Sequence, residues 1–269
     1  DNTSSSDSDT YTESECLCIL ALPSTYSQTG TKTKLIMYCH GGTGYISDTT
    51  WINNNRNFLA MISACTDAGY AVFDVNNTAN DPEGYADEGG LVLMEQYLKA
   101  WDYIKTNYNV EDMLYVLSCS MGTTAALNML KWHSDCVKTA LLTAPRVSIE
   151  EVYNRVTSTQ QEQIATAFGW DSGVTGYQTT KMYGWDNYLD IVEDSNNVKK
   201  VNREFPPIKV MVGQSDTNGY NEVVEYFAAL KRSGNVVFYR EIRSATHSQM
   251  THLSIGTLLN EMIVWFNRF

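Results

Sequence analysis

Three residues of this chain have the types and the order that acyl transfer requires: Ser120, then Asp216, then His247. A serine hydroxyl is a poor nucleophile near neutral pH and needs a base to take its proton. Imidazole titrates close to the working pH and can take it. A carboxylate on the other ring nitrogen fixes the tautomer and stabilises the imidazolium. The attacked carbonyl also needs donors in place for its developing negative charge. The amide of Met121, next to Ser120 at a helix start, is one candidate. Gly42, in His40-Gly41-Gly42, is the other, with Gly41 and Thr43 as close competitors. Glycines there let the backbone approach a substrate with no side chain in the way.

These residues must be held at strand exits. Met113 to Leu117 is a run of five residues that reads as a buried strand, and from Thr124 the apolar residues recur at helical spacing. Between them lies Ser118-Cys119-Ser120-Met121-Gly122, a Ser-x-Ser-x-Gly turn with small residues two positions either side of Ser120. A strand turning at once into a helix has room only for such side chains, and it exposes the central hydroxyl above the sheet. Lys34–His40 is a second strand, running into Gly41-Gly42-Thr43-Gly44-Tyr45. Ile208–Gly213 is a strand leaving at Asp216, and Val236–Ile242 is the last, leaving at His247. Further strands are expected at 15–22, 70–75 and 139–144, and helices at 54–68, 91–108, 221–232 and 253–266. Strands alternating with helices imply an α/β fold with a mostly parallel central sheet flanked by helices, and in such sheets ligands collect at the carboxyl ends of strands.

With His-Gly-Gly after a strand, Ser-x-Ser-x-Gly at a turn, and Asp216 and His247 at two later exits, the chain resembles an α/β-hydrolase from about residue 15 to 269. Ser118 stands where the usual pattern has glycine. The resemblance implies a serine hydrolase acting through an acyl-enzyme, with Ser120 as nucleophile, His247 as base and Asp216 as orienting acid. It implies no metal or organic cofactor. A carboxylic ester, small or carbohydrate-linked, is the expected substrate. A prolyl-oligopeptidase-like peptidase shares the same core. A silent binding protein on this fold is the third reading, and such proteins usually lack a triad member.

Other residues compete for these roles. His40 has a loop-shaping role in the resemblance, His252 enters the last helix, and His133 ends another. Glu150 lies shortly after a strand, where some relatives carry their acid. Asp74 ends a strand in a turn-like context. Cys119 adjoins Ser120, but the turn directs it away. Gly41-Gly42-Thr43-Gly44 lacks the Gly-Lys-Thr/Ser ending of a phosphate loop.

About sixty residues, 146–205, separate two strands and contain no clear buried strand. That is far more than a connection needs and reads as an inserted, mainly helical cap between the core segments 15–145 and 206–269. It is expected to hold a helix over 149–168 and a further short helix. Trp170, Tyr177, Tyr183, Trp185 and Tyr188 either wall a substrate pocket or form the cap's own core. Tyr45, Trp51 and Tyr85 are further lining candidates, with Thr43 beside the glycine turn.

Composition narrows the rest. The 269 residues carry a net charge of -12, so nucleic acid and anionic membranes are poor partners. No run of apolar residues is long enough to span a bilayer. Residues 1–14 read as a polar tail, such as follows a removed export or lipoprotein signal, and an exported protein is the expectation. Six cysteines show no zinc-site spacing and read as buried thiols; Cys16 and Cys18 are badly placed to bridge each other. Oligomeric state is not legible.

Overall fold

Strand and helix alternate along the chain in the computed structural model, which describes residues 18–42, 44–46, 51–53, 56–76, 90–171, 175–251 and 255–269. The first half holds β1 (Cys18–Ala21), β2 (Thr33–Cys39), a hairpin of β3 (Gly44–Ile46) and β4 (Trp51–Asn53), α1 (Arg56–Asp67), β5 (Ala71–Val75), α2 (Leu91–Asn107), β6 (Val110–Cys119) and α3 (Gly122–Trp132). After β7 (Val137–Thr143) come α4 (Ile149–Tyr153), α5 (Ser158–Ala167), α6 (Thr179–Met182), β8 (Ile191–Glu193) and β9 (Lys199–Val201). The chain then runs through β10 (Ile208–Gly213), α7 (Tyr220–Arg232), β11 (Val237–Ile242), α8 (His247–Thr251) and α9 (Ile255–Phe266).

Seven strands form one sheet in the order β1-β5-β2-β6-β7-β10-β11. β1 pairs antiparallel with β5, and every other pair is parallel. The strands read as continuous apolar runs because both faces are covered. Leu35 and Met37 of β2 point to the α2, α3 and α7 side, while Ile36 and Tyr38 point to the α1 and α9 side. Trp265 of α9 donates its indole N–H to the Ala140 carbonyl at 2.9 Å, which anchors the last helix on β7. α3 is buried from Gly122 to Lys131, so the helix behind Ser120 is enclosed on every side.

Residues 146–205 differ from the expectation in two ways. The helix expected over 149–168 is two helices, because Thr157 starts α5 with a capping box to Gln160. β8 and β9 form a separate two-stranded sheet, too short and too polar to register as buried strands. The segment is tied to the core by Lys131 Nζ, 2.8 Å from Asp190 Oδ2, a pair almost wholly removed from solvent. It is tied to itself by buried Asp186, which accepts from the amides of Ile149, Glu150 and Tyr188 and from the Tyr177 hydroxyl. A buried carboxylate is tolerated when its lone pairs are satisfied in this way. Among the described residues, no helix is long and apolar enough to cross a membrane, and no cluster of His, Cys, Asp or Glu could hold a metal ion.

Candidate active site

Ser120 sits on the bend between β6 and α3 with φ of 53°, a left-handed conformation that costs energy for any residue but glycine. Three contacts hold the bend. The Ser120 amide donates to the Thr143 carbonyl at 3.0 Å, and the Thr123 amide donates to the Ser120 carbonyl at 3.0 Å. The Thr143 hydroxyl donates to the Ser118 carbonyl at 2.9 Å. Ser118 is small because its hydroxyl packs 3.1 Å from that of buried Thr123.

Asp216 and His247 follow adjacent parallel strands, and their exit loops are laced together. The Ser215 amide donates to the Ala245 carbonyl at 2.9 Å, and the Gln214 amide to the Ile242 carbonyl at 3.0 Å. Gly213 has no Cβ for a plain reason: the Ala245 carbonyl occupies that space. His247 is the first residue of α8, whose start is capped reciprocally by Thr246 and Gln249.

The structure brings the three side chains into one hydrogen-bonded row. His247 Nε2 lies 2.8 Å from Ser120 Oγ, and His247 Nδ1 lies 2.7 Å from Asp216 Oδ2. A carboxylate only accepts, so Nδ1 carries a proton and Nε2 is left to accept from the serine hydroxyl. Asp216 is 1% exposed at its side chain against 17% for His247, so the acid is sealed while the imidazole edge meets solvent. The other oxygen of Asp216 accepts from the Asn218 amide at 2.8 Å. Asn218 in turn accepts from the guanidinium of Arg155, beyond α4. Sequence reasoning missed Asn218 and Arg155, because nothing local marks a contact between residues 63 positions apart.

The glycine turn lies against the elbow. A Cβ on Gly41 would stand 3.3 Å from Ser120 Cβ and from the Cys119 carbonyl oxygen. A Cβ on Gly42 would collide with the Met121 sulfur. Gly42 and Met121, the two expected amide donors, are therefore neighbours. Thr43 and His252 lie outside the described residues, as do Tyr85 and the side chains of Tyr45 and Trp51.

The competing groups are accounted for elsewhere. His40 Nδ1 is 2.8 Å from Asp74 Oδ2 in a pair 5% and 0% exposed. Asp74 also accepts from the Tyr97 hydroxyl at 2.9 Å, and that hydroxyl reaches the Tyr38 carbonyl, so the network fixes the end of β2. Burial pushes the Cys119 thiol up to about 11, which leaves it un-ionised beside Ser120. Glu150 is exposed, and its amide serves Asp186. His133 caps the C-terminus of α3.

Trp170 and Tyr177 pack with Tyr153, while Trp185 and Tyr188 also pack against the main core. Trp170 is 5.1 Å from Tyr153 and 5.3 Å from Tyr177 between ring centroids, and its indole N–H points at the Met182 sulfur. Trp185 packs on Trp132 and joins this small core, whose buried centre is Ile149, Val152, Ile164 and Met182. Tyr183 is 63% exposed. Cys39, Cys65 and Cys136 are buried free thiols and Cys119 is half-buried, whereas Cys18 is exposed, against the expectation of a buried thiol there.

Comparison with known proteins gives this arrangement a family. A search of curated proteins finds no match. Among solved structures, Est1E from Butyrivibrio proteoclasticus, solved with ferulic acid bound, overlays with a TM-score of 0.60 at 14% identity over 94% of each chain. Esterase 2 of Thermogutta terrifontis, phosphoramylated by tabun, overlays with a TM-score of 0.64 at 12% identity over 94% of this chain and 89% of its own. An acylaminoacyl peptidase from Pyrococcus horikoshii overlays with a TM-score of 0.62 at 12% identity, but this chain spans only 38% of that protein's length. These likenesses establish the α/β-hydrolase fold. The model of the prolyl oligopeptidase family matches residues 56–269, a segment that contains Ser120, Asp216 and His247. The chain belongs to the prolyl oligopeptidase family, serine hydrolases of the α/β-hydrolase superfamily.

Proposed function

We propose that this chain hydrolyses carboxylic esters through an acyl-enzyme on Ser120. The observation that carries the reading is the unbroken row of hydrogen bonds from Ser120 Oγ through His247 to Asp216. Ser120 attacks the carbonyl carbon while its proton passes to His247 Nε2. The oxyanion is held by the amides of Met121 and Gly42. The intermediate collapses, His247 returns the proton to the leaving alkoxide, and the alcohol departs. Water then gives a proton to His247, attacks the acyl-enzyme, and releases the acid and free Ser120.

Residues 146–205 act as a cap in this account, governing which acyl or alcohol group enters. Small or carbohydrate-linked esters are the substrate class, supported by the fold shared with Est1E, which was solved with ferulic acid bound. Family membership favours a second reading, a peptide bond, cleaved by the same steps with an amine as leaving group. Paired assays separate the two. Short-chain p-nitrophenyl esters and feruloyl esters should be turned over at least about a hundredfold faster, in kcat/KM, than aminoacyl and Gly-Pro p-nitroanilides. The reverse preference would make the protein a peptidase.

A further inference from the structure

Among the described residues, Arg146 is a permanent cation near the row with no hydrogen-bond or ion-pair partner. Arg146 follows β7 by three residues, at the level of the elbow: the Thr143 carbonyl holds the Ser120 amide, and the Ala144 amide donates to the Met211 carbonyl at 3.0 Å. Ala144, at φ of 45°, turns the chain there, and Pro145 leads into Arg146. The Nε of Arg146 is buried and meets no acceptor, and among the described residues the guanidinium enters no ion pair or hydrogen bond. The Tyr226 hydroxyl and the Trp101 indole, also buried without partners, are neutral. A guanidinium cannot shed its charge, so an unmet buried N–H of this kind is costlier than a neutral one.

Two neighbours locate that charge. Burial pushes both the Cys119 thiol and the Glu151 carboxyl up, and in each case the Arg146 cation pulls the other way. Cys119 is bonded to Ser120. Glu151 flanks the Asp216 loop, since a Cβ on Gly219 would stand 3.5 Å from its carboxylate. Arg146 thus lies within electrostatic reach of the residue before the nucleophile and of the side chain that flanks the loop after the acid. Glu151 is itself taken by Arg155, which leaves the fork of Arg146 open.

We propose that Arg146 binds a carboxylate on the acyl part of the substrate, making esters of dicarboxylic or otherwise anionic acids the preferred class. The argument rests on the ester-hydrolase reading above. A carboxylate offers two acceptor oxygens to the planar fork, so it satisfies Nε together with a terminal nitrogen in one bidentate contact. The acyl group stays attached to Ser120 after the alcohol leaves, so the contact persists through the acyl-enzyme. In a chain with a net charge of -12, an anionic substrate needs such a local cation to offset the overall field.

The test compares mono-p-nitrophenyl glutarate with p-nitrophenyl pentanoate on the full chain, for wild type, Arg146→Met and Arg146→Lys. The ratio of kcat/KM, anionic over neutral, should fall about tenfold or more in Arg146→Met, as expected for loss of a charge-assisted contact. Arg146→Lys should recover part of it, since lysine keeps the charge without the fork. Hydrolysis of the neutral ester should change less than about threefold, which also reports that the variants fold. An unchanged ratio with the neutral ester still hydrolysed would overturn the role of Arg146 and leave the ester reading standing. Calorimetric titration with glutarate, the acid that hydrolysis of the anionic ester releases, tests the site without turnover. It should bind wild type and bind Arg146→Met at least about tenfold more weakly. Equal affinity, or no binding to wild type, would overturn the proposal, whereas binding without hydrolysis of either ester would overturn the ester reading alone.

Discussion

Gly122 lies so close to Cys39 that a Cβ on it would overlap the carbonyl oxygens of Cys39 and His40. The first turn of α3 is thereby pressed onto the end of β2. The Met121 side chain lies against Gly42 in the same region, so the elbow and the glycine turn are packed together.

Gly122→Ala tests this packing. The obstruction is backbone, which cannot rotate away, so the elbow or β2 must move. Overpacking of this kind costs about 1–3 kcal/mol, and more where the surroundings are rigid. Denaturant unfolding should show a loss in that range or above, with esterase activity falling further than stability. A variant of wild-type stability and activity would show that the approach is looser than described.

Gly42→Ala meets a softer obstacle, the Met121 sulfur at the end of a flexible side chain. The fold should therefore tolerate it, with Tm changed by only a few degrees. The amide of residue 42 would shift, however, and loss of one oxyanion donor costs about 10²–10³ in kcat. A kcat close to wild type would assign the donor to a neighbouring amide.

These two glycines also show what was legible in sequence. Ser120, Asp216, His247 and the glycine turn could be marked because their types recur at strand exits, and exits follow from hydrophobic runs. The break in the helix expected over 149–168 was also encoded, in the Thr157 to Gln160 capping pair. What sequence left hidden was contact between distant segments. Arg155 reaches Asn218 across 63 positions, and Lys131 reaches Asp190 across 59. The aromatic content of 146–205 was plain, but not that Trp170 would pack within the segment while Trp185 reaches Trp132 of α3, since composition does not say which face a ring takes. The β8–β9 hairpin was invisible because Glu193, Lys199 and Lys200 break its apolar pattern.

Asp216→Asn should leave the fold intact and cripple turnover. An amide in that place no longer holds the imidazole in the tautomer that leaves Nε2 free for Ser120, and comparable changes cost about 10⁴ in kcat. Steady-state hydrolysis of p-nitrophenyl acetate at neutral pH should show a loss of that order. A loss under tenfold would place the orienting acid elsewhere, with Glu150 the first alternative.

His40 and Asp74 set a pH dependence of stability. Burial disfavours the His40 cation, but the charge of Asp74 and the hydrogen bond to it outweigh burial, so the pKa is raised from 6.5. A raised histidine stabilises the fold most fully below its unfolded value, and that contribution is lost as pH rises through the folded value. The Tm gap between wild type and Asp74→Asn should therefore be widest below about pH 6.5 and narrow above it. A gap that is flat between pH 5 and 9 would mean that His40 stays neutral.

The central claim, that Ser120 is the nucleophile, is tested most directly by treating the protein with a fluorophosphonate probe and sequencing the labelled peptide by mass spectrometry. The account predicts one adduct, on Ser120, abolished in Ser120→Ala. An adduct on another residue, labelling that survives in Ser120→Ala, or no labelling of the wild type would contradict it.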